Sequence, residues 1–502
     1  MSTFNESARG ANTTSNHEGE KAYTLSPKLE LYSAVVTTMM AGDKFYESSD
    51  GLITRIRGLV ATVAKTDPAF VAKLAVYARE QMHLRTISVV LAVELAKVHN
   101  GDSLVSRTLE RVVNRPDELT EVAGYYAFTN KRKGTKKLGK LSKQIQKGLA
   151  KAFTKFDAYQ LQKYNRPTAI KLRDILFLSH ANPVSSLQEQ TYRELISDTL
   201  PTPDTWEVEL SATTNKTESW AKMIDGRKMG YMATLRNLRN ILEANVSPDH
   251  MQKLVAFLTN KEAVLKSKLF PFRFYAAARE LESVDSMYAP LVLSALDTAM
   301  QYSAANIRGF NPNDRIHISV DTSGSMSAVL SKMSSMKLQD VGLIMAMLLQ
   351  EVSPLAEVSI FGTTLKRINL TKGNILGNTD KLTKYSDMVG SSTNGHLILQ
   401  DLLNRKAVVD RVVVFTDCQL YGGFWSGPRP ESFEALWKQY RKEIAPHAKL
   451  YIFDLAGYGN TPVSVNSDGV YLIAGWSEKV FEMIEAYENG SSALKRIEEM
   501  VV

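Results

Sequence analysis

The chain of 502 residues contains a single cysteine, Cys418, which excludes an internal disulfide. We therefore expect a reducing, cytoplasmic compartment. No apolar run approaches the roughly 18 residues that a membrane-spanning helix needs, so we expect no membrane partner. The first 20 residues are polar and lack the apolar core of a signal peptide. We predict that residues 1–24 form a disordered tail.

The chain also lacks the short motifs by which common enzymes are recognised. It has no G-x-S-x-G nucleophile elbow, no H-E-x-x-H helix, no C-x-x-C pair and no G-x-x-x-x-G-K-[ST] phosphate loop. Its 8 histidines are scattered without metal-ligand spacing. We therefore expect a binding protein and not an enzyme.

One stretch, residues 131–155, lacks acidic side chains while basic ones recur along it. From Leu138 onward apolar residues fall at helical spacing and lysines run along another face, which predicts a basic loop followed by an amphipathic helix. A solvated lysine face is one interpretation, and an acidic membrane surface is another. Because such concentrated like charge is tolerated more readily beside a polyanion, we favour nucleic acid. The basic residues concerned are Lys131, Arg132, Lys133, Lys136, Lys137, Lys140, Lys143 and Lys147.

Helix patterns fill the chain up to about residue 310, with short connections marked by Gly, Pro, Asp or Asn. Helix pairs recur about every 40 residues, which predicts a HEAT-like stack with an extended surface. Beyond residue 310 strands and helices alternate, as is typical of a parallel α/β sheet. We predict a multidomain chain, with an all-α helical-repeat domain over 25–310 and a doubly wound α/β domain over 311–502. The predicted strands begin at Ile316, Glu357, Arg411, Leu450 and Val470, and Leu365–Leu370 is expected to pair as an antiparallel edge.

The stretch Asp321-Thr-Ser-Gly-Ser325 follows the first of these strands. Open α/β sheets bind ligands beyond the carboxyl ends of their strands. One carboxylate and two hydroxyls at such a point are suited to Mg²⁺, which takes oxygen ligands. The alternative is ordinary turn chemistry, since Asp, Ser and Gly are common residues of turns.

Two later segments supply similar groups. Thr393 lies in a loop that opens a helix pattern, and Asp417 ends the strand that begins at Arg411. The whole set is that of a metal-ion-dependent adhesion site and resembles the von Willebrand factor A domain. Two carboxylates and three neutral hydroxyls would leave a bound ion electron-poor, so we expect it to take a further ligand from outside, a carboxylate of a partner protein. The predicted ligands are Asp321, Ser323, Ser325, Thr393 and Asp417.

Several helical segments resemble the TROVE module that is shared by the Ro autoantigen, telomerase-associated and vault proteins. With the metal-site domain after it, the chain from about Leu25 to Val502 is similar to the Ro family, and in size to its bacterial and phage members. The segments that carry the likeness are Tyr159–Tyr164, Leu172–His180, Met232–Ile241 and Phe272–Ala276.

The resemblance implies a closed ring of helical repeats, clasped by the metal-site domain. Such a ring would bind small noncoding Y-like RNA on its outer surface and single-stranded ends of misfolded RNA in its central hole, in RNA quality control. In bacterial members of the family the Y RNA can tether the ring to an exoribonuclease. We expect the protein to be a monomer. The alternative is a metal-dependent protein-interaction scaffold whose helices have no RNA function.

The likeness also implies roles for particular residues. His180 lies where the family has an RNA-contacting histidine, although a lone His at a helix end is more often a cap. Lys163 and Arg166 precede it, where the family carries basic residues that bind Y RNA. Arg236 and Arg239 are three residues apart on one predicted helix face, where they could contact phosphates or pair with acids.

Overall fold

The computed structural model describes residues 13–38, 44–130, 141–269, 271–304, 313–330, 336–421, 431–465, 469–475, 478–481, 483–484 and 492–502. The chain forms two compact units. We call Ile53–Ala212 together with Leu494–Val502 the helical unit, and Met1–Leu52 together with Thr213–Ala493 the sheet unit. The domain boundary that we expect near residue 310 divides an all-α part from an α/β part, and it stays a prediction.

The part of the chain before the large sheet is helical, as predicted. Its helices are α1 (Pro27–Val36), α2 (Ser49–Ala64), α3 (Pro68–Glu80), α4 (Thr86–Val98), α5 (Leu104–Val112), α6 (Pro116–Thr129), α7 (Lys143–Phe153), α8 (Ala158–Tyr164), α9 (Leu172–Ser179), α10 (Ser186–Ser197), α11 (Trp206–Ala212), α12 (Lys216–Asp225), α13 (Tyr231–Arg236), α14 (Leu238–Glu243), α15 (Pro248–Leu258), α16 (Lys261–Ser267), α17 (Pro271–Leu281) and α18 (Ala289–Ala304).

Local chemistry explains where several helices begin. Ser26, Asp67 and Ser247 each accept a hydrogen bond from a backbone N–H of the first turn, and each is followed by proline. The capping oxygen satisfies an otherwise unpaired amide, and proline has no amide to leave unpaired at that position. None of the helices in the described segments is long and apolar enough to cross a bilayer.

A fully buried carboxylate, that of Glu118, joins α3, α5 and α6 in the helical unit. One of its oxygens accepts from Arg79 at 2.7 Å and lies 3.2 Å from Arg85. The other accepts the backbone N–H groups of Asn114 and Arg115, which start α6. Arg79 also donates to the carbonyl of Val112, at the end of α5. One acid therefore fixes the crossing point of three helices.

The sheet unit contains a six-stranded sheet in the order β5-β4-β3-β6-β7-β9. All neighbours are parallel except β4 and β5, which form the antiparallel edge that the sequence predicts. The strands are β3 (Ile316–Asp321), β4 (Glu357–Phe361), β5 (Leu365–Ile368), β6 (Arg411–Thr416), β7 (Lys449–Asp454) and β9 (Val470–Ala474). The accompanying helices are α19 (Leu338–Val352), α20 (Ile375–Val389), α21 (His396–Asn404), α22 (Phe433–Glu443) and α23 (Ala493–Glu498).

The strand order reverses at the centre of this sheet. The chain starts at β3, adds β4 and β5 on one side, and then adds β6, β7 and β9 on the other. The carboxyl ends of β3 and β6 therefore lie side by side at a topological switch point, the usual ligand position in a doubly wound sheet. The predicted doubly wound α/β fold is confirmed.

The prediction of a disordered tail over residues 1–24 is wrong for residues 13–24. Strands β1 (Thr13–Ser15) and β2 (Lys21–Thr24) form an antiparallel hairpin, and β2 pairs with β8 (Asn460–Thr461). The polar side chain of Asn16 is buried and donates to the carbonyl of Leu420 at 2.7 Å. Partners more than 400 positions away order this polar segment. Residues 1–12 lie outside the described part of the chain.

Replacing Glu118 by alanine should lower the free energy of unfolding of the helical unit by about 3–5 kcal/mol. The reason is that the largely buried Arg79 loses its carboxylate and the two amides just before α6 lose their acceptor. Denaturant unfolding followed by circular dichroism measures the loss. The matched control is Glu189→Ala, which removes an exposed pair with Arg193 of 2.6 Å on α10. That change should cost about 0.5 kcal/mol or less, and equal losses in the two variants would contradict the assignment.

Candidate functional site

The five predicted cation ligands come together at the switch point. Asp321 is the last residue of β3, and Asp417 directly follows β6. Ser323 donates its backbone N–H to Asp321 at 2.9 Å, and its hydroxyl lies 3.3 Å from that of Ser325. Thr393 lies in the loop between α20 and α21, and with Ser325 it lines a cavity of about 420 Å³. One site therefore unites residues from three loops.

The two carboxylates of this site are fully buried and close to each other. Burial raises the pKa of Asp321 to about 6. Burial and repulsion from Asp321 together raise the pKa of Asp417 to about 8. Like charges that share a buried site disfavour ionisation, and a bound cation removes that penalty. The electrostatics of the site thus fit a positively charged ligand.

Two oxygens at the site lack a hydrogen-bond partner among the described residues, namely Thr393 Oγ1 and Asp417 Oδ2. Both are buried, and a buried polar atom without a partner costs about 1–3 kcal/mol. A hard divalent cation takes oxygen ligands of both kinds. The described residues contain no group of three or more His, Cys, Asp and Glu side chains that could hold a metal ion. A cation at the switch point would therefore depend on hydroxyls as well as carboxylates.

Two glycines that the sequence motif does not include shape the loop of Thr393. Gly362 follows β4, and a Cβ atom there would lie 2.0 Å from the carbonyl oxygen of Gly390. Gly390 itself has a φ of +76°, in the region that favours glycine. The carbonyl of Gly362 accepts the backbone N–H of Asn394 at 3.1 Å. In the sequence, the only sign of this contact is a glycine at the end of each of the two segments, Gly362 after β4 and Gly390 after α20.

The basic run divides into parts with different surroundings. Lys143 and Lys147 are exposed one turn apart on α7, and neither has an ion pair within the described residues. Lys151 pairs with Glu110 at 3.2 Å. Lys155 donates to the last carbonyls of α5, and burial lowers its pKa. The remaining predicted residues of this run lie outside the described part: Lys131, Arg132, Lys133, Lys136, Lys137 and Lys140.

His180 is exposed and ends α9 in a left-handed conformation with a φ of 54°. One turn earlier, Phe177 exposes 56% of its surface, although it was not predicted as a functional residue. The buried residues Leu172, Ile175 and Leu176 define the apolar stripe of α9, and Phe177 lies off that stripe. This position outside the apolar stripe is the feature of the sequence by which Phe177 could have been recognised as a functional candidate. An exposed aromatic ring and an exposed imidazole therefore stand within three residues of each other at the end of α9.

The other predicted RNA-binding residues are more scattered. Lys163 is half-buried in the last turn of α8, and Arg166 is exposed beyond it. The prediction that Arg236 and Arg239 share one helix is wrong, because the helix breaks at Asn237, whose side chain donates to the carbonyl of Ala233. Arg239 pairs with Glu243 at 2.8 Å, as the alternative held. Both arginines belong to the sheet unit, whereas α7, α8 and α9 belong to the helical unit.

Family comparisons agree with this architecture. The TROVE domain model matches residues 12–200 and 198–353, which together exceed half of the chain. The chain belongs to the TROVE family. The Ro60 vWA domain model matches residues 315–488, a range that contains all five predicted cation ligands. The predicted family resemblance is confirmed. TROVE proteins are RNA-binding components of ribonucleoproteins.

Among individual proteins, the chain is similar to telomerase protein component 1 of Rattus norvegicus, with 26% identity over 337 residues. The Mus musculus protein of that name is 25% identical over 342 residues. These matches cover 52% and 53% of this chain but only 13% of each longer relative. The crystal structure of the Deinococcus radiodurans Ro (RSR) protein aligns with a TM-score of 0.60 and 15% identity, over 91% of this chain and 99% of that one. That likeness concerns the fold.

Replacing Gly362 by alanine should destabilise the sheet unit by about 1–3 kcal/mol, because the new methyl group collides with the Gly390 carbonyl and displaces the loop of Thr393. Thermal unfolding measures the change. The matched control is Gly324→Ala inside the Asp-Thr-Ser-Gly-Ser stretch, where a Cβ atom would lie 3.7 Å from its nearest neighbour. That variant should remain near the wild type. If Gly324→Ala proved the more damaging change, the loop would be held in another way.

Proposed function

We propose that this TROVE protein binds structured noncoding RNA through exposed side chains of the helical unit. Its four basic or imidazole members are Lys143 and Lys147 on α7, Arg166 after α8 and His180 at the end of α9, and all four are exposed. Lysines without acidic partners are available to phosphate, which dominates the affinity of RNA-binding proteins. The availability of Lys143 and Lys147, within an acid-free basic run, is the observation that carries the proposal.

Phe177 adds an aromatic ring, a second kind of RNA contact, to these exposed side chains. Specific recognition of RNA relies on unstacked bases that lie on aromatic rings, beside contacts to phosphates. Phe177 is an exposed ring one turn from His180. A folded RNA with a loop or a single-stranded end is therefore a better candidate than a continuous duplex. The family resemblance extends the proposal to Y-like RNA, to ends of misfolded RNA in the hole of a ring, and to an exoribonuclease that shares the RNA.

The RNA proposal is tested by the double variant Lys143→Glu, Lys147→Glu. Affinity for a folded RNA with single-stranded ends should fall at least tenfold, and the slope of log Kd against log salt should drop by about 1–2, because two phosphate contacts are lost. Electrophoretic mobility shift or fluorescence anisotropy at several salt concentrations gives both values.

The matched control is Lys438→Glu, Lys442→Glu on α22. These two lysines have the same spacing, are exposed and belong to the sheet unit, and the substitution changes the net charge equally. The control should keep the affinity and the salt slope of the wild type. Equal losses in both variants would mean that overall charge, and not the face on α7, attracts the RNA.

We also propose that Asp321, Ser323, Ser325, Thr393 and Asp417 hold a divalent cation, and that Mg²⁺ is the physiological ion. Two repelling buried carboxylates and two buried oxygens without partners support this assignment. The cation would neutralise the site and could draw a carboxylate towards it. The competing hypothesis, a protein-interaction scaffold without RNA function, also depends on this site. The scaffold hypothesis differs in predicting that Lys143→Glu, Lys147→Glu leaves the binding of a protein partner intact.

Mg²⁺ should raise the thermal unfolding midpoint of the wild type, because it binds the folded site and not the unfolded chain. At a hundredfold excess over the Kd the gain is about 2.7 kcal/mol. Asp417→Asn should abolish this response. In chelator the variant should be at least as stable as the wild type, because the repulsion with Asp321 is gone. Differential scanning calorimetry with and without Mg²⁺ tests both effects, and a full Mg²⁺ response in the variant would contradict the site.

A further inference from the structure

The N-terminal part of the same chain contributes to the cavity at the cation site. Glu18, Phe45 and Tyr46 line this cavity together with Ser325 and Thr393. These residues belong to the sheet unit, although about 280 positions separate Tyr46 from Ser325. The sequence suggests no such contact, because residues 13–24 contain no long apolar pattern that would predict packing.

Hydrogen bonds attach the turn between β1 and β2 to the loop that carries Asp417. The buried Asn16 donates its side-chain amide to the carbonyl of Leu420 at 2.7 Å. The backbone N–H of His17 donates to the side chain of Gln419 at 2.8 Å, and the backbone N–H of Gln419 donates to Asp417 Oδ1 at 3.0 Å. The turn is therefore two hydrogen bonds away from a predicted cation ligand. Its next residue is Glu18.

Tyr46 connects this turn to the other side of the site. Its hydroxyl donates to the carboxylate of Glu18 and lies close to the Ser325 hydroxyl and to Asp417. Its ring stacks on His17 with centroids 4.7 Å apart and meets the edge of Tyr458 at 5.6 Å. These contacts with two other rings hold the Tyr46 ring in place. Through its hydroxyl, Tyr46 thus links the Glu18 carboxylate to Ser325 and Asp417 of the site.

We propose that Glu18 is the further ligand of the cation and that Tyr46 is its positioning residue. This inference rests on the proposed cation. Two carboxylates and three hydroxyls leave an ion open to one more anionic oxygen, and Glu18 is the carboxylate that lines the cavity from outside the predicted set. Glu18, Asp321 and Asp417 do not form a group of three acids that could hold a metal ion as they stand, so ligation requires the Glu18 carboxylate to move from the cavity lining towards the ion. A bound cation would attract this carboxylate and draw the hairpin onto the site.

The consequence concerns partners of the protein. The carboxylate that we expect from a partner protein would bind the ion at the position that Glu18 of this chain fills. A partner must therefore displace Glu18 to reach the ion. The cation then acts as a clasp between the hairpin and the carboxyl edge of the sheet. Removal of the cation should loosen residues 13–24 while the six-stranded sheet stays folded.

The test uses the full chain and two measurements, Mg²⁺ binding by calorimetry and hydrogen–deuterium exchange of the peptide that covers residues 13–24. In the wild type, Mg²⁺ should slow exchange in this peptide. In Glu18→Ala, this protection should disappear and the Kd for Mg²⁺ should rise roughly 10–100-fold, as for other groups that support a metal site. Sodium acetate should restore much of the affinity of Glu18→Ala relative to sodium chloride at equal ionic strength, and should not change that of the wild type.

The matched control is Glu20→Ala, two residues further along the same turn and not part of the cavity lining. It should retain wild-type affinity and protection. Wild-type affinity and protection in Glu18→Ala would overturn the inference while the cation site itself stands. Absence of Mg²⁺ binding in the wild type would overturn both. Asp417→Asn tests the cation site by itself. This variant should lose Mg²⁺ binding altogether, whereas Glu18→Ala should only bind Mg²⁺ more weakly.

Discussion

The repulsion between two buried carboxylates, Asp321 and Asp417, is the constraint on which the rest of the sheet unit depends. The reversal of strand order brings the ends of β3 and β6 together, so each of these strands delivers an acid to the same point. Such an arrangement is costly unless positive charge or protons compensate it. The divalent cation that we propose would compensate the charge and would also provide a partner for the buried oxygens of Thr393 and Asp417.

The N-terminal segment is ordered by hydrogen bonds beside the same site and by strand pairing. Residues 13–24 are too polar to fold by burial of apolar area, and instead exchange hydrogen bonds with Gln419 and Leu420 next to Asp417. The helical unit is organised differently. There, a buried acid, Glu118, is neutralised by arginines of the protein itself. Lys143 and Lys147 of α7 have no ion pair within the described residues and are available to a polyanion.

The sequence predicted those features that local chemistry determines. The strands that begin at Ile316, Glu357 and Arg411 are short runs rich in Val, Ile and Phe, and the cation ligands Asp321 and Asp417 stand where two of these runs end. Long-range contacts decided the features that were missed. The hairpin depends on the hydrogen bond from Asn16 to Leu420, and the loop of Thr393 depends on the close contact between Gly362 and Gly390. The break at Asn237 was also missed, because the apolar spacing continues through it.

The central claim is that one cation neutralises Asp321 and Asp417 and holds Glu18 above them. Crystals grown with Mn²⁺ in place of Mg²⁺ test it most directly, by anomalous scattering at the manganese edge. The account predicts a single strong peak at the switch point, within coordination distance of both aspartates and of Glu18. An ordered site without such a peak, with the two aspartates sharing a proton instead, would contradict it.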